Sequence, residues 1–270
     1  MPQSFVFRTI ELDGQYLRTA VRPGNSALPP LLVFNGIGAN LELVFPFVEA
    51  LDPDLEVIAF DVPGVGGSST PATPFRFPGL AKLAARMLDY LDYSQVNVIG
   101  VSWGGALAQQ FAYSHPERCK KLILAATSAG AVMVPGRPSV LLKMASPRRY
   151  IQPSHGVNIA PDVYGGAFRR DPHLAEKHAA KVRSSGKLGY YWQLFAGEQS
   201  FALLFLSFAG AVSSASGCSK CSVTDQLRAA RQDWHTICGL GRGDASRGLI
   251  HPCVLDGPSH TLVTSALLSH

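Results

Sequence analysis

A serine flanked by glycines, in the run Gly100-Val101-Ser102-Trp103-Gly104, carries the clearest chemical signal in the chain. The apolar stretch Val96–Val101 precedes it, and Gly105–Tyr113 has the spacing of a helix. A serine on such a strand–turn–helix bend projects its hydroxyl from the sheet and can attack an ester carbonyl. The glycines suit this bend because side chains there would collide with the neighbouring strand and helix. We therefore predict Ser102 as a nucleophile, with a tight structural turn as the alternative.

A second glycine-containing turn, Asn35-Gly36-Ile37-Gly38, follows the apolar run Leu31–Phe34. An ester carbonyl under attack develops negative charge on its oxygen, and backbone N–H groups stabilise that charge best. We predict that the N–H groups of Ile37 and Trp103 form this pair. Considered alone, such a turn is more often only a structural turn.

The segment Asp61-Val62-Pro63-Gly64-Val65-Gly66-Gly67-Ser68 follows another apolar run. It lacks the Gly-Lys-Ser/Thr ending of a phosphate-binding loop and the glycine spacing of a dinucleotide site. We predict that Asp61 accepts hydrogen bonds from loop amides and takes no part in catalysis.

Continuous short apolar runs alternate with helical spacing, which indicates an α/β fold with a mostly parallel sheet covered by helices. The predicted strands are Leu31–Phe34, Val57–Phe60, Val96–Val101 and Leu122–Ala126, and the predicted helices are Leu41–Leu51, Leu80–Leu91 and Ala106–Tyr113. Before them, Phe5–Thr9 and Tyr16–Val21 alternate around Asp13-Gly14 and predict a hairpin at the sheet edge.

With 270 residues, 47% of them hydrophobic and 16% charged, the chain can build a large core and is neither disordered nor a coiled coil. We predict a core of residues 1–129, an inserted helical lid of residues 130–197 and an atypical, irregular segment of residues 198–270. The longest apolar run, Phe201–Val212, is too short to span a bilayer. Residues 1–9 show no secretory signal, so we expect a cytoplasmic protein.

The net charge of +5 is concentrated in the predicted lid, because residues 133–197 hold 10 Lys/Arg and 3 Asp/Glu. This segment could face an anionic surface or acidic products, or it could simply be a solvated basic face. No nucleic-acid-reading motif is present, so we expect no nucleic-acid partner. The oligomeric state is left open.

Several motifs together resemble the α/β-hydrolase superfamily. More closely, the chain resembles the intracellular poly(3-hydroxyalkanoate) depolymerases of pseudomonads that act on medium-chain-length polyesters. The resemblance covers about residues 1–197 and rests on the three glycine-containing segments above, with supporting stretches at Asn40–Pro46, Pro147–Tyr150 and Gly189–Phe195. It implies Ser102 as nucleophile, Ile37 and Trp103 as oxyanion hole, and a lid over an apolar acyl-binding cleft. The aromatic residues of the lid could line that cleft or form the lid's own core.

The resemblance also implies an Asp and a His that follow the serine, in strand-Gly-x-Asp and Gly-His contexts. Neither context occurs, and we assign neither role. The remaining candidates are Asp225, Asp233, Asp244 and Asp256 for the acid and His235, His251 and His260 for the base. Val254-Leu255-Asp256 is the most strand-like, but His260 follows too closely for an intervening helix and strand.

Composition changes abruptly after Gly197: all eight tyrosines precede residue 192, and four of the five cysteines follow residue 217. Our hypothesis is that the reading frame shifted here, so that residues 198–270 are not the family's carboxyl-terminal half. A triad without its base loses several orders of magnitude in rate, so the chain could be inactive.

The cysteines suggest little further chemistry. The possible zinc ligands, Cys218, Cys221, His235, Cys238, His251 and Cys253, have poor spacing after the first pair, so we predict no metal site. A redox function of the C-x-x-C pair is disfavoured because no thioredoxin-like unit surrounds it. Cys119 is predicted to be a small buried apolar residue.

The leading hypothesis is a serine ester hydrolase that needs no cofactor and acts on a polyester granule or a small ester. Another carboxylesterase or a C–C bond hydrolase stays open, because this scaffold supports many chemistries. From a different class, a non-catalytic polyester-granule binding protein fits the absent acid and base. No membrane span is expected.

Overall fold

The computed structural model of the chain describes residues 5–127, 138–164, 166–182 and 186–196, and the backbone of residues 253–256. Its sheet strands are β1 Val6–Leu12, β2 Gln15–Arg22, β3 Leu31–Phe34, β4 Val57–Phe60, β5 Val96–Val101, β6 Cys119–Ala125 and β7 Cys253–Asp256. Its helices are α1 Phe45–Glu49, α2 Phe77–Tyr90, α3 Trp103–Ser114, α4 Pro138–Ala145, α5 Arg148–Ile151, α6 Pro153–Val163, α7 Gly166–Arg170, α8 Pro172–Lys181 and α9, residues 187–196.

The strands form one sheet in the order β1-β2-β4-β3-β5-β6-β7. The four central strands, β4, β3, β5 and β6, are parallel. Strands β1 and β2 form the predicted hairpin at one edge, with Asp13 and Gly14 both at positive φ in its turn. The predicted α/β fold with a mostly parallel sheet is confirmed.

Both faces of the central strands are buried, which explains their continuous apolar runs. Alternate residues point to opposite faces: Leu32 and Phe34 pack with helices α2 and α3, whereas Leu31 and Val33 pack with the segment around α1. Two apolar layers therefore enclose the sheet.

The predicted helix Leu41–Leu51 is interrupted in the structure. A single 3₁₀ turn, Leu41–Leu43, precedes α1, which begins at Phe45 and ends at Glu49. Pro46 lies in the first turn of α1 and has no N–H to continue a helix from the preceding residues, so the helix must restart there. Helix α2 likewise starts earlier than predicted, at Phe77, with a proline in its first turn.

The one described segment beyond residue 196 is strand β7, which pairs antiparallel with β6. The expectation of an irregular carboxyl-terminal part is therefore wrong for residues 253–256. The apolar stretch Phe201–Val212 lies outside the described residues. Within the described part of the chain, no helix has both the length and the apolar composition that a membrane crossing needs.

Helix α3 lies unusually close to the sheet because its first turn contains glycines. A Cβ added to Gly104 would overlap the carbonyl oxygens of Phe34 and Asn35 at the end of β3. At Gly100, the same atom would lie 2.6 Å from the Ala108 Cβ. The two glycines thus let strand β5 turn directly into a helix packed on the sheet.

An aspartate joins the loops that leave the carboxyl ends of β3 and β4. The side chain of Asp61 has no exposure and accepts hydrogen bonds from the Leu41 N–H at 2.7 Å and the Gly67 N–H at 2.9 Å. Arg18 donates to the same carboxylate at 3.3 Å and forms a second ion pair with Glu42. Burial raises the pKa of Asp61, although these donors favour its charged form. The predicted structural role of Asp61 is confirmed.

Replacing Gly104 with alanine should destabilise the fold by about 3 kcal/mol or more, because backbone carbonyls rather than flexible side chains block the new methyl group. Denaturant unfolding measures this as a lower midpoint at an unchanged slope. Gly186→Ala is the matched control, since a Cβ there meets nothing within 4 Å. Equal unfolding free energies for the two variants would show that the close approach of α3 is not required.

Replacing Asp61 with alanine should lower the free energy of unfolding by about 3–5 kcal/mol. The change leaves two buried amide N–H groups and a guanidinium without this acceptor. Asp89→Ala is the control: Asp89 also pairs with an arginine, Arg118, but its side chain is 64% exposed, so the loss should stay below about 1 kcal/mol. Urea unfolding of both variants tests the contrast, and an Asp61 variant as stable as the Asp89 variant would contradict it.

Candidate active site

The backbone at Ser102 is left-handed, with φ 54° and ψ −119°, between the end of β5 and the start of α3. A non-glycine residue with positive φ costs free energy and persists only where the surroundings impose it. Here the Ser102 N–H donates to the Ala125 carbonyl at 3.0 Å, and the Ser102 carbonyl accepts from Gly105 at 2.9 Å. The chain thus bends sharply at the residue that the sequence singles out.

The hydroxyl of Ser102 is not used to cap the helix that follows it. Ser102 occupies the N-cap position of α3 without a side-chain hydrogen bond to the helix. Its side chain is half-buried, and no described residue is hydrogen-bonded to the hydroxyl. The N-terminus of α3, with its unpaired N–H groups and positive dipole end, starts at the next residue. This setting suits a group that becomes negatively charged.

The Asn35–Gly38 turn lies directly beside Ser102. A Cβ placed on Gly36 would be 3.9 Å from the Ser102 Cβ. The Ala39 N–H donates to the Gly36 carbonyl at 3.1 Å, and Gly38 has φ 69°, which leaves Ile37 in the first of the two central positions of the turn. No described residue accepts a hydrogen bond from the backbone N–H of Ile37 or of Trp103. The two predicted donors therefore flank the serine without protein acceptors among the described residues.

Helix α9 covers this turn. Gly38 has no Cβ where the rings of Tyr150 and Tyr190 approach; an added Cβ would lie 2.6 Å and 2.8 Å from them. Tyr150 and Tyr190 are 7% and 1% exposed, so these two aromatic residues of the predicted lid form core. Tyr164, Tyr191 and Phe195 are exposed instead, at 40%, 50% and 37%. The stretches Pro147–Tyr150 and Gly189–Phe195, noted in the sequence, thus pack on the turn beside Ser102.

Gln193 on α9 is a site residue that sequence reasoning missed. Its Oε1 accepts a hydrogen bond from the Gly38 N–H at 2.6 Å, and its carbonyl oxygen accepts from the Trp103 indole Nε1–H at 2.8 Å. In the sequence it is only one residue of the stretch Gly189–Phe195, and nothing in the residue itself signals this position. Its one sequence signal is that it belongs to the aromatic-rich run Tyr190–Phe195.

A buried cation lies behind the aromatic layer. Arg149 is 6% exposed, lies 4.7 Å from the Tyr150 ring centroid and donates to the Tyr190 hydroxyl at 3.4 Å. Burial lowers and the neighbouring tyrosines raise the pKa of Arg149, and the net direction is upward. Next to it, burial and the nearby guanidinium lower the pKa of His178, which favours a neutral imidazole. Arg149 is therefore not part of a solvated basic face.

The structure places one candidate for the triad acid far from Ser102. Asp256 pairs with Lys121 in the sheet, whereas Ser102 follows Val101, which pairs with Ala125. Four strand positions separate these levels, which is about 13 Å along β6. Asp256 thus lies near the amino-terminal ends of the parallel strands, whereas Ser102 lies at their carboxyl-terminal ends. The other candidates, Asp225, Asp233, Asp244, His235, His251 and His260, lie outside the described residues.

No described histidine is hydrogen-bonded to Ser102. His115 ends α3, whose 12 residues span about 18 Å from the serine end. His173 pairs with Glu176, and His178 packs on Tyr164.

The thiol of Cys119 is poorly suited to act as a nucleophile. Burial raises the pKa of Cys119 to about 12, so the thiolate is scarce at neutral pH. Cys119 packs against the core as a small apolar residue, as predicted, but it is half-buried rather than buried. The proposed zinc ligands lie outside the residues whose side chains the structure describes, and no cluster of metal-binding side chains occurs among the described ones.

Comparisons with known proteins agree with this architecture. A poly(3-hydroxyalkanoate) depolymerase of Ectopseudomonas oleovorans is 80% identical over 197 residues, which are 73% of this chain and 70% of that protein. Among solved structures, the enol-lactonase from Burkholderia xenovorans LB400 matches with a TM-score of 0.54 at 23% identity, over 70% of this chain and 72% of that one. The epoxide hydrolase CorEH matches with a TM-score of 0.55 at 20% identity, over 75% and 77%.

At such identities the two structures show a shared fold alone. The family model described as the alpha/beta hydrolase fold matches residues 29–247, which is most of the chain and includes both turns of the site. By its sheet, its strand–serine–helix bend and this match, the chain belongs to the α/β-hydrolase family.

Proposed function

We propose that this chain is a serine ester hydrolase that cleaves medium-chain-length poly(3-hydroxyalkanoate), with Ser102 as its nucleophile. The observation that carries the proposal is the left-handed backbone of Ser102 at the head of α3, with a hydroxyl that does not cap the helix. A strained backbone of this kind at a serine is typical of an exposed nucleophile. The substrate class is supported by the depolymerase that is 80% identical over 197 residues.

In the proposed reaction, Ser102 Oγ attacks the carbonyl carbon of an ester link, and a base takes the hydroxyl proton. The carbonyl oxygen becomes an anion that accepts hydrogen bonds from the N–H groups of Ile37 and Trp103. Collapse of this intermediate breaks the ester C–O bond, and the leaving alkoxide takes the proton. Water then hydrolyses the acyl-serine and releases an (R)-3-hydroxy acid end. No step requires a cofactor.

We assign neither the acid nor the base of this reaction, because no described histidine or carboxylate contacts the Ser102 hydroxyl. The proposed order is nucleophile, acid, base, as elsewhere in this fold. Asp256 is disfavoured as the acid, because its pairing with Lys121 puts it four strand positions along β6 from the level of Ser102.

We further propose the division into a core of residues 1–129, a lid of residues 130–197 and a distinct segment of residues 198–270. Support for the lid comes from helices α4 to α8, which follow one another and pack mainly on each other. A cytoplasmic location with attachment to polyester granules goes with the proposed substrate. The exposed lid aromatics and the basic excess of residues 133–197 supply apolar and charged surface for it.

A second candidate is a granule-binding protein without catalysis. The observation that favours it is that no described histidine or carboxylate contacts the Ser102 hydroxyl. The two functions differ in one chemical property, the reactivity of Ser102.

The serine proposal is tested by reaction with a fluorophosphonate and by release of acid from a medium-chain polyester and a p-nitrophenyl ester. We expect stoichiometric labelling of Ser102, and we expect Ser102→Ala to reduce kcat/KM by at least about 10³-fold, because a catalytic serine acts as a unit with its base. Ser114→Ala, at the other end of the same helix, should leave the activity unchanged.

Two results would exclude catalysis at Ser102: hydrolysis that survives the Ser102→Ala change, or a chain that sediments with granules but takes up no label. The second result would favour the binding protein.

The frame-shift hypothesis for residues 198–270 predicts a specific nucleotide sequence. One alternative frame of the gene, read from codon 198 onward, should encode an apolar strand ending in Asp and, further on, a Gly-His pair. Translation of the two other frames decides this, and the hypothesis fails if both lack these features.

A further inference from the structure

Gln193, on the buried face of α9, is hydrogen-bonded to Trp103 of the proposed oxyanion hole and to Gly38, the residue after Ile37. It is 3% exposed. Its side-chain Oε1 accepts from the backbone N–H of Gly38, the residue after Ile37, at 2.6 Å. Its backbone carbonyl accepts from the indole Nε1–H of Trp103 at 2.8 Å. One residue thus links two turns that come from different strands, β3 and β5.

The helix that carries Gln193 is itself fixed against the ends of the parallel strands. Gly189 and Gly64 meet backbone to backbone, with no room for a Cβ on either. The Trp192 indole donates to the Pro71 carbonyl at 3.2 Å, and Tyr190 fills the space beside Gly38. These contacts hold α9 to the loops that follow β3 and β4, so the Gln193 acceptor is held in place rather than adaptable.

The hydrogen bond from Gly38 to Gln193 fixes the orientation of the Gly38 N–H. Gly38 has φ 69° and no Cβ, so its own backbone limits its conformations weakly. The peptide plane that contains this N–H is the one between Ile37 and Gly38, and its orientation sets the conformation of Ile37. A buried N–H without an acceptor is costly, so loss of Oε1 would favour a different turn.

We propose, resting on the ester hydrolase function above, that Gln193 is a positioning residue: it holds the Ile37 and Trp103 amides in the arrangement that receives the oxyanion. Gln193 does not touch the reacting atoms. It acts through the turn and through the indole, and it couples correct seating of α9 to a competent oxyanion hole. The oxyanion exists only in the transition state and the tetrahedral intermediate, so the effect falls on kcat rather than on substrate binding.

The kinetic test compares Gln193→Met with Gln193→Glu on a p-nitrophenyl ester. Methionine keeps the length of the side chain but removes the acceptor, and we expect kcat to fall about 10- to 100-fold with KM within about threefold. Glutamate keeps an acceptor oxygen at the same position. The kcat of Gln193→Glu should therefore exceed that of Gln193→Met by about threefold or more, the gain expected from one restored hydrogen bond. Gln110→Met, on the outer part of α3, is the matched control and should change kcat less than about twofold.

A second measurement does not depend on activity. In Gln193→Met, backbone hydrogen exchange at Gly38 should accelerate about tenfold or more, because its acceptor is gone, while β3 and β5 keep their protection. If the parent chain neither hydrolyses esters nor takes up a fluorophosphonate, the function fails and exchange at Gly38 alone decides the role of Gln193.

The inference is overturned by any of three outcomes. These are exchange at Gly38 in Gln193→Met equal to that in Gln110→Met, an unchanged kcat with a raised KM, and an equal loss of protection across β3 and β5, which would mark a general loosening of the fold.

Discussion

A sharp bend with left-handed backbone at Ser102 is the constraint on which the site depends. Such backbone is unfavourable for a serine and needs support from its surroundings. That support comes from the hydrogen bond of the Ser102 N–H to the end of β6 and from the glycines that let α3 lie on the sheet. Because packing fixes the bend, the hydroxyl needs no hydrogen bond to the helix and is left for chemistry.

The loops beside the bend are held by polar contacts with little exposure to water. Asp61 binds amides of the loops after β3 and β4, and Gln193 binds the turn after β3 and the indole after β5. Buried groups of this kind stabilise one arrangement strongly, because any other arrangement leaves an unpaired donor or acceptor. The carboxyl edge of the sheet is therefore a rigid frame rather than a set of independent loops.

Local patterns in the sequence predicted the strands of the sheet well. Strands buried on both faces appear as continuous apolar runs, so the central strands were predicted within a few residues. Helix bounds were less accurate: Pro46 divided one predicted helix, and α3 begins at Trp103 because tertiary contact overrides the low helix propensity of the glycines that follow. Ser102 and its neighbouring turn were predictable because both use short motifs in contiguous sequence.

Contacts between distant segments were beyond sequence reasoning. The bond between Gly38 and Gln193 joins residues 155 positions apart, and no local pattern encodes it. The strand at Asp256 was visible as an apolar run, but its antiparallel pairing with β6 was not, and that pairing decides near which end of the parallel strands Asp256 lies. Burial of Arg149 among tyrosines was likewise hidden in a segment that appears merely basic.

Membership of the α/β-hydrolase family constrains the fold and leaves the chemistry to the residues at its carboxyl edge. The depolymerase match covers 197 residues, the length of chain before the composition changes, whereas the family model extends to residue 247. The described part of the proposed site is Ser102, its bend and the amides of Ile37 and Trp103, and the proposed function depends on how these three face one another.

The most direct measurement is a crystal structure of the chain after reaction with a p-nitrophenyl phosphonate. The account predicts a covalent bond from Ser102 Oγ to phosphorus, with the phosphoryl oxygen about 2.7–3.1 Å from both the Ile37 and Trp103 nitrogens. A phosphoryl oxygen turned away from these amides, an adduct on another residue, or no adduct at all would contradict it.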